Sequence, residues 1–103
     1  MLNIVGIDIG SVALSVVVLD EKGEVVHSSY RFHVGAIEET LLSLLNAIDI
    51  CRIGGVAMTL SGPNLLEETP RYDTQIAMIA AVKKYHQEAG SILFVGGENF
   101  GLI

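Results

Sequence analysis

A single cysteine, Cys51, stands among 103 residues, so no disulfide can close within the chain, and this scarcity fits a reducing cytoplasm. A free cysteine behaves as a small hydrophobe, and Cys51 is expected to be buried where a helix gives way to a strand. Basic residues are also few: six Lys and Arg against twelve Asp and Glu leave a formal net charge of −6. Nucleic acid is thereby excluded as a partner, because binding to its backbone relies on clustered Lys and Arg that release counterions. No apolar run approaches the roughly 18 residues that a membrane span needs. The N-terminus lacks the basic segment and apolar core of a secretory signal. There is no Cys-x-x-Cys, no serine at the spacing of a hydrolase triad and no Gly-Lys-Ser/Thr turn, which leaves zinc folds, triad hydrolases and P-loop nucleotidases unsupported.

What is present is apolar. Half the residues are hydrophobic and only 17% are charged, with a mean hydropathy of +0.53. That suffices for one domain with one core, and leaves apolar surface expected to face another domain or subunit.

The hydrophobic period changes along the chain. Residues 2–9 and 12–19 form two apolar runs separated only by Gly10 and Ser11, which predicts a tight hairpin. A polar loop, Asp20-Glu21-Lys22-Gly23, has glycine where a left-handed residue is wanted. Residues 24–33 then alternate, with Val26, Ser28, Tyr30 and Phe32 on one face and Val25, His27, Ser29, Arg31 and His33 on the other, as in a strand wetted on one side. His27 and His33 are expected to be solvated, and the tyrosines and Phe32 to fill core or interface. From Ala36, the residues Ile37, Leu41, Leu44, Leu45 and Ile48 repeat at helical spacing, with Glu38 and Glu39 complementing the dipole at the first turn. Residues 53–60 are a strand whose crossover favours a parallel neighbour. Ser61-Gly62-Pro63-Asn64 ends it, and Ser61 and Gly62 either line a cleft or merely terminate the strand. Asp73 caps a helix expected to reach about residue 88, with His86 complementing its end, and its apolar residues all round predict burial between layers. Residues 91–95 form the last strand. Apolar residues resume after Gly96-Gly97 as though a returning strand were starting, so the chain is expected to be a fragment of a longer protein.

Two glycine turns follow directly on apolar strands: Ile7-Asp8-Ile9-Gly10-Ser11 and Phe94-Val95-Gly96-Gly97-Glu98-Asn99. Glycine lets the backbone fold back with its amide hydrogens exposed, and such amides hold phosphate oxygens. Asp8 is the one charge in its strand and needs a cation or a hydrogen-bond donor. Magnesium on a nucleotide would meet that need, and so would plain backbone donors of a turn. Gly10, Ser11, Gly96 and Gly97 have the same two readings, phosphate contact or a simple turn.

The order strand, strand, strand, helix, strand, helix, strand, with Asp-Ile-Gly-Ser in the first turn, resembles the first half of the actin, sugar-kinase and heat-shock-chaperone ATPase fold. It implies an α/β lobe of ribonuclease H-like topology, with a mixed sheet of about five strands and helices packed on it. Within that superfamily the chain is most similar to the BadF/BadG/BcrA/BcrD group, the ATP-dependent activators of 2-hydroxyacyl-CoA dehydratases and benzoyl-CoA reductases. The likeness rests on Gly6-Ile7-Asp8-Ile9-Gly10-Ser11, Val17-Val18-Leu19-Asp20-Glu21-Lys22-Gly23-Glu24-Val25-Val26, Met58-Thr59-Leu60-Ser61-Gly62 and Val95-Gly96-Gly97-Glu98-Asn99.

The resemblance implies that residues 1–103 are the N-terminal lobe of an ATPase, with a second lobe starting at about 91–103. It implies ATP and magnesium between two lobes, with Asp8 organising magnesium and water, Gly10 and Ser11 on the β and γ phosphates, and Gly96, Gly97, Glu98 and Asn99 closing from the other side. An iron-sulfur cluster is expected in the family, on cysteines that this chain does not contain. The implied partners are the rest of a longer polypeptide or a second subunit, and a CoA-ester dehydratase or reductase. Three positions depart from the pattern: Val12 replaces a threonine, while Phe94 and Asn99 replace acids. Each removes a hydroxyl or a charge from the phosphate and metal surroundings, on which phosphoryl transfer depends. Two other readings share the fold, a non-catalytic assembly module and a small-molecule kinase.

Overall fold

The computed structural model describes residues 2–60, 69–95 and 100–102. Three strands, β1 (Asn3–Ile9), β2 (Ala13–Leu19) and β3 (Val25–Phe32), form an antiparallel meander. Helix α1 (Ile37–Leu45) and a 3-10 turn (Ile50–Arg52) lead into β4 (Ile53–Thr59), which returns parallel to β1. A two-residue strand, β5 (Arg71–Tyr72), extends the sheet and is followed by α2 (Thr74–Tyr85). The sheet order is β3-β2-β1-β4-β5, five strands with β1 in the middle. The fifth place is taken by β5, which the sequence presents only as loop. The expected last strand is β6 (Leu93–Val95), paired antiparallel with β7 (Phe100–Leu102) in a separate two-stranded sheet.

The core lies on one face of the main sheet. Val5, Ile7 and Ile9 of β1, Leu14, Val16 and Val18 of β2 and Met58 of β4 are buried there against Leu41 and Leu44 of α1. Period-2 alternation puts the β-branched residues of neighbouring strands side by side, and the 3.6-residue period of α1 lays its leucines over them.

Register reverses the two faces of β3 relative to the helix. Leu14 pairs with Arg31, Val16 with Ser29 and Val18 with His27, so the polar residues of β3 share the core side. Arg31 reaches across to α1, donating from Nη1 to Ser43 Oγ at 2.9 Å, and His27 Nε2 meets Ser29 Oγ at 2.9 Å. Tyr30 and Phe32 project from the opposite face and are 68% and 61% exposed, in edge-to-face contact with each other rather than in the core. A period-2 pattern shows that a strand has two faces; only pairing fixes which one the helix covers.

Two further expectations change. Asp73 caps α2 through hydrogen bonds accepted from the Gln75 and Ile76 amides, but α2 ends at Tyr85 and none of its residues is buried. Its C-terminal end holds the β2–β3 turn, where Lys84 Nζ and Tyr85 Oη both donate to the Gly23 carbonyl. Cys51 sits in the 3-10 turn at the predicted helix-to-strand junction, yet it is exposed.

Candidate functional site

In an open sheet with parallel neighbours, the crevice for ligands lies at the carboxyl ends of the strands. Here those ends belong to β1 and β4. The pairing runs from Ile4 beside Gly55 to Ile7 beside Met58, which brings the next residues, Asp8 and Thr59, together. Thr59 Oγ1 donates to Asp8 Oδ1 at 3.0 Å and accepts from the Ile9 amide at 3.4 Å. The carboxylate is therefore oriented by a buried hydroxyl while the residue itself is exposed. The donor that a charge in an apolar strand requires is a side chain from the neighbouring strand, not a backbone group of the turn.

The hairpin that follows closes tightly. Gly10 N donates to Ala13 O at 2.8 Å, leaving Ser11 and Val12 as its tip. A Cβ added at Gly10 would approach that Ala13 oxygen to 3.1 Å, so any side chain there would push on the bond that shuts the hairpin. The Gly10 amide is thus spent within the hairpin. The amides open to a ligand are those of Ser11 and Val12, neither of which meets an acceptor among the described residues. Both residues are exposed, and Val12 presents an isopropyl group where Ser11 presents a hydroxyl.

Behind the tip stands His33, only 6% exposed, against the expectation of a solvated residue. Its Nε2 lies 3.0 Å from Gly10 O, and its Nδ1 accepts from the Gly35 amide at 3.1 Å. Ser11, Val12, Phe32, His33, Val34 and Gly35 line a shallow, open groove.

Among the sequence-predicted site residues, Asp8, Gly10 and Ser11 are brought together at one end of the sheet. Gly96, Gly97, Glu98 and Asn99 lie outside the described residues, as do Ser61 and Gly62. Sequence reasoning missed Thr59 and His33. The signal for Thr59 was available as a lone hydroxyl at the end of an apolar strand, once β4 is set parallel to β1; His33 carried no local signal, because its partner is 23 residues away.

Nucleotide and magnesium chemistry fits these residues: one oriented carboxylate, two amides without an acceptor among the described residues and a hydroxyl stand at the carboxyl end of the β1–β4 pair. No group of three or more His, Cys, Asp or Glu side chains able to hold a metal occurs among the described residues, so a metal here would rely on phosphate oxygens and water alongside Asp8. An iron-sulfur cluster does not fit, since Cys51 is one exposed thiol where cluster ligation takes several. No helix among the described residues is long and apolar enough to cross a membrane.

No protein-family model matches this chain, and no curated protein does. Among solved structures it is similar to the activator of the 2-hydroxyisocaproyl-CoA dehydratase from Clostridium difficile, solved with bound ADPNP. The TM-score is 0.74 at 18% sequence identity, over 99% of this chain and 46% of that one. The chain thus spans about half the length of that activator. The mixed five-stranded sheet with its helices is an α/β fold shared with that activator.

Proposed function

We propose that this chain is the nucleotide-binding lobe of an ATP-dependent activase, with the β1–β2 hairpin as one jaw of the phosphate site. The observation that carries the reading is Asp8, held by Thr59 at the carboxyl end of the β1–β4 pair beside the open amides of Ser11 and Val12. Those amides and the Ser11 hydroxyl hold the β and γ phosphate oxygens, and Asp8 holds the water shell of magnesium. Magnesium, when bound, neutralises phosphate charge. Support comes from the fold shared with a dehydratase activator that binds ADPNP.

The second jaw is assigned to Gly96, Gly97, Glu98 and Asn99. Residues 91–103 open the second lobe, in keeping with β6 and β7 pairing apart from the main sheet. The rest of a longer polypeptide or a second subunit completes the cleft. The partner is a CoA-ester dehydratase or reductase in the cytoplasm, activated at the expense of ATP hydrolysis. With one jaw supported, this chain alone binds nucleotide weakly, with Kd on the order of millimolar, and does not turn ATP over. Calorimetric titration with Mg·ADPNP, using Asp8→Ala as the control, tests the reading. Weak saturable heat that disappears in the variant is expected, whereas the same heat from both proteins would remove Asp8 from the site.

A further inference from the structure

One residue holds both flanks of the hairpin tip. His33 Nε2 faces the Gly10 carbonyl at 3.0 Å, and the His33 backbone amide donates to the Val12 carbonyl at 3.1 Å. Because the Gly35 amide donates to Nδ1, that nitrogen carries no hydrogen. The ring proton therefore sits on Nε2 and is donated to Gly10 O; the tautomer is assigned by its partners. A peptide unit is planar and trans, so its C=O and N–H point in opposite directions. Fixing the Gly10 carbonyl toward His33 turns the Ser11 N–H away from the ring. Without that anchor, the Gly10–Ser11 peptide is free to rotate and present a carbonyl oxygen to the incoming phosphate.

The loop that supports the ring is itself unusual. Val34 has φ 49° and Gly35 φ 81°, both left-handed, and a β-branched residue in that region is an outlier. The side chain of Val34 is 90% exposed and recovers little by packing. What the conformation achieves is to bring the Gly35 amide back to His33 Nδ1 and the Ala36 amide to His33 O at 2.8 Å. Backbone strain retained for a hydrogen-bonding arrangement concentrates at functional sites, and this instance adjoins the tip.

We propose that His33 is the positioning residue of the phosphate-binding hairpin. Its Nε2–H fixes the Gly10–Ser11 peptide so that the Ser11 amide meets a nucleotide phosphate. The inference rests on the reading of Asp8, Gly10 and Ser11 as a nucleotide site.

Two conservative variants separate the ring's two bonds. The amide nitrogen of Gln reaches where Nε2 lies and can still donate to Gly10 O. The oxygen of Asn reaches only where Nδ1 lies, preserving the Gly35 bond and losing the Gly10 bond. With Mg·ADPNP as probe, followed by amide NMR on the full chain, His33→Gln should bind within about threefold of wild type and His33→Asn about tenfold more weakly, one charge-assisted hydrogen bond being at stake. Equal affinities for wild type and both variants would overturn the positioning role while leaving the nucleotide site intact. Absence of any wild-type response would overturn the site reading itself, and this inference with it. The third readout needs no variant: nitrogen-15 spectra of the His33 ring should show the Nε2–H tautomer, and the Nδ1–H form would contradict the proposal.

Discussion

The β1–β2 and β2–β3 turns belong to one meander and differ in how they use their amides. At residues 20–23 the turn satisfies itself: Asp20 Oδ1 accepts from the Lys22 and Glu24 amides, each at 2.9 Å, and Gly23 N donates to Asp20 O. Gly23 takes the left-handed φ of 82° that its position demands, and α2 clamps its carbonyl. At the other end of β2 no side chain among the described residues accepts from the amides of the tip; support comes from behind, through His33 to the carbonyls. A turn whose amides are consumed locally holds strands together. One whose carbonyls are tied back while its amides meet no acceptor among the described residues suits the proposed role of receiving an anion.

Four substitutions would break or sharpen that contrast. The largest effect is expected from Asp8→Ala, which should abolish nucleotide-induced NMR shifts at concentrations that move the wild type. Its unfolding free energy should stay within about 1 kcal/mol, because the side chain is exposed. Asp20→Ala should do the reverse, costing about 1–2 kcal/mol with the loss of two amide acceptors and leaving nucleotide shifts unchanged, as read by denaturant unfolding and titration. Gly23→Ala should cost roughly 1 kcal/mol through its left-handed backbone, again without a change in binding. Val12→Thr should have the smallest effect, a gain of about two- to threefold in affinity by adding a hydroxyl at the tip, with no change in melting temperature.

Much of the meander and its connection to α1 was legible because each element has its own period and its own stop. Residues 2–9 and 12–19 had to be a hairpin with only Gly10 and Ser11 between them, and Ile37, Leu41 and Leu44 had to face a sheet. The failures share one cause, dependence on pairing between distant segments. Tyr30 and Phe32 looked like core until the β2–β3 register put His27, Ser29 and Arg31 on the α1 side. The apolar circumference of α2 implied burial, yet no α2 residue is buried among the described residues. At the site, Asp8 could be found as a lone charge in an apolar strand. Its orienting partner Thr59 lies 51 positions away, and His33 is joined to Gly10 only by folding.

The most direct test is residue-resolved amide NMR of this chain during titration with Mg·ADPNP, comparing the two turns within one sample. The account predicts that Ser11 and Val12 shift together and saturate, while Lys22, Gly23 and Glu24 stay still. Shifts confined to the second turn, or none at Ser11 and Val12 under nucleotide excess, would contradict it.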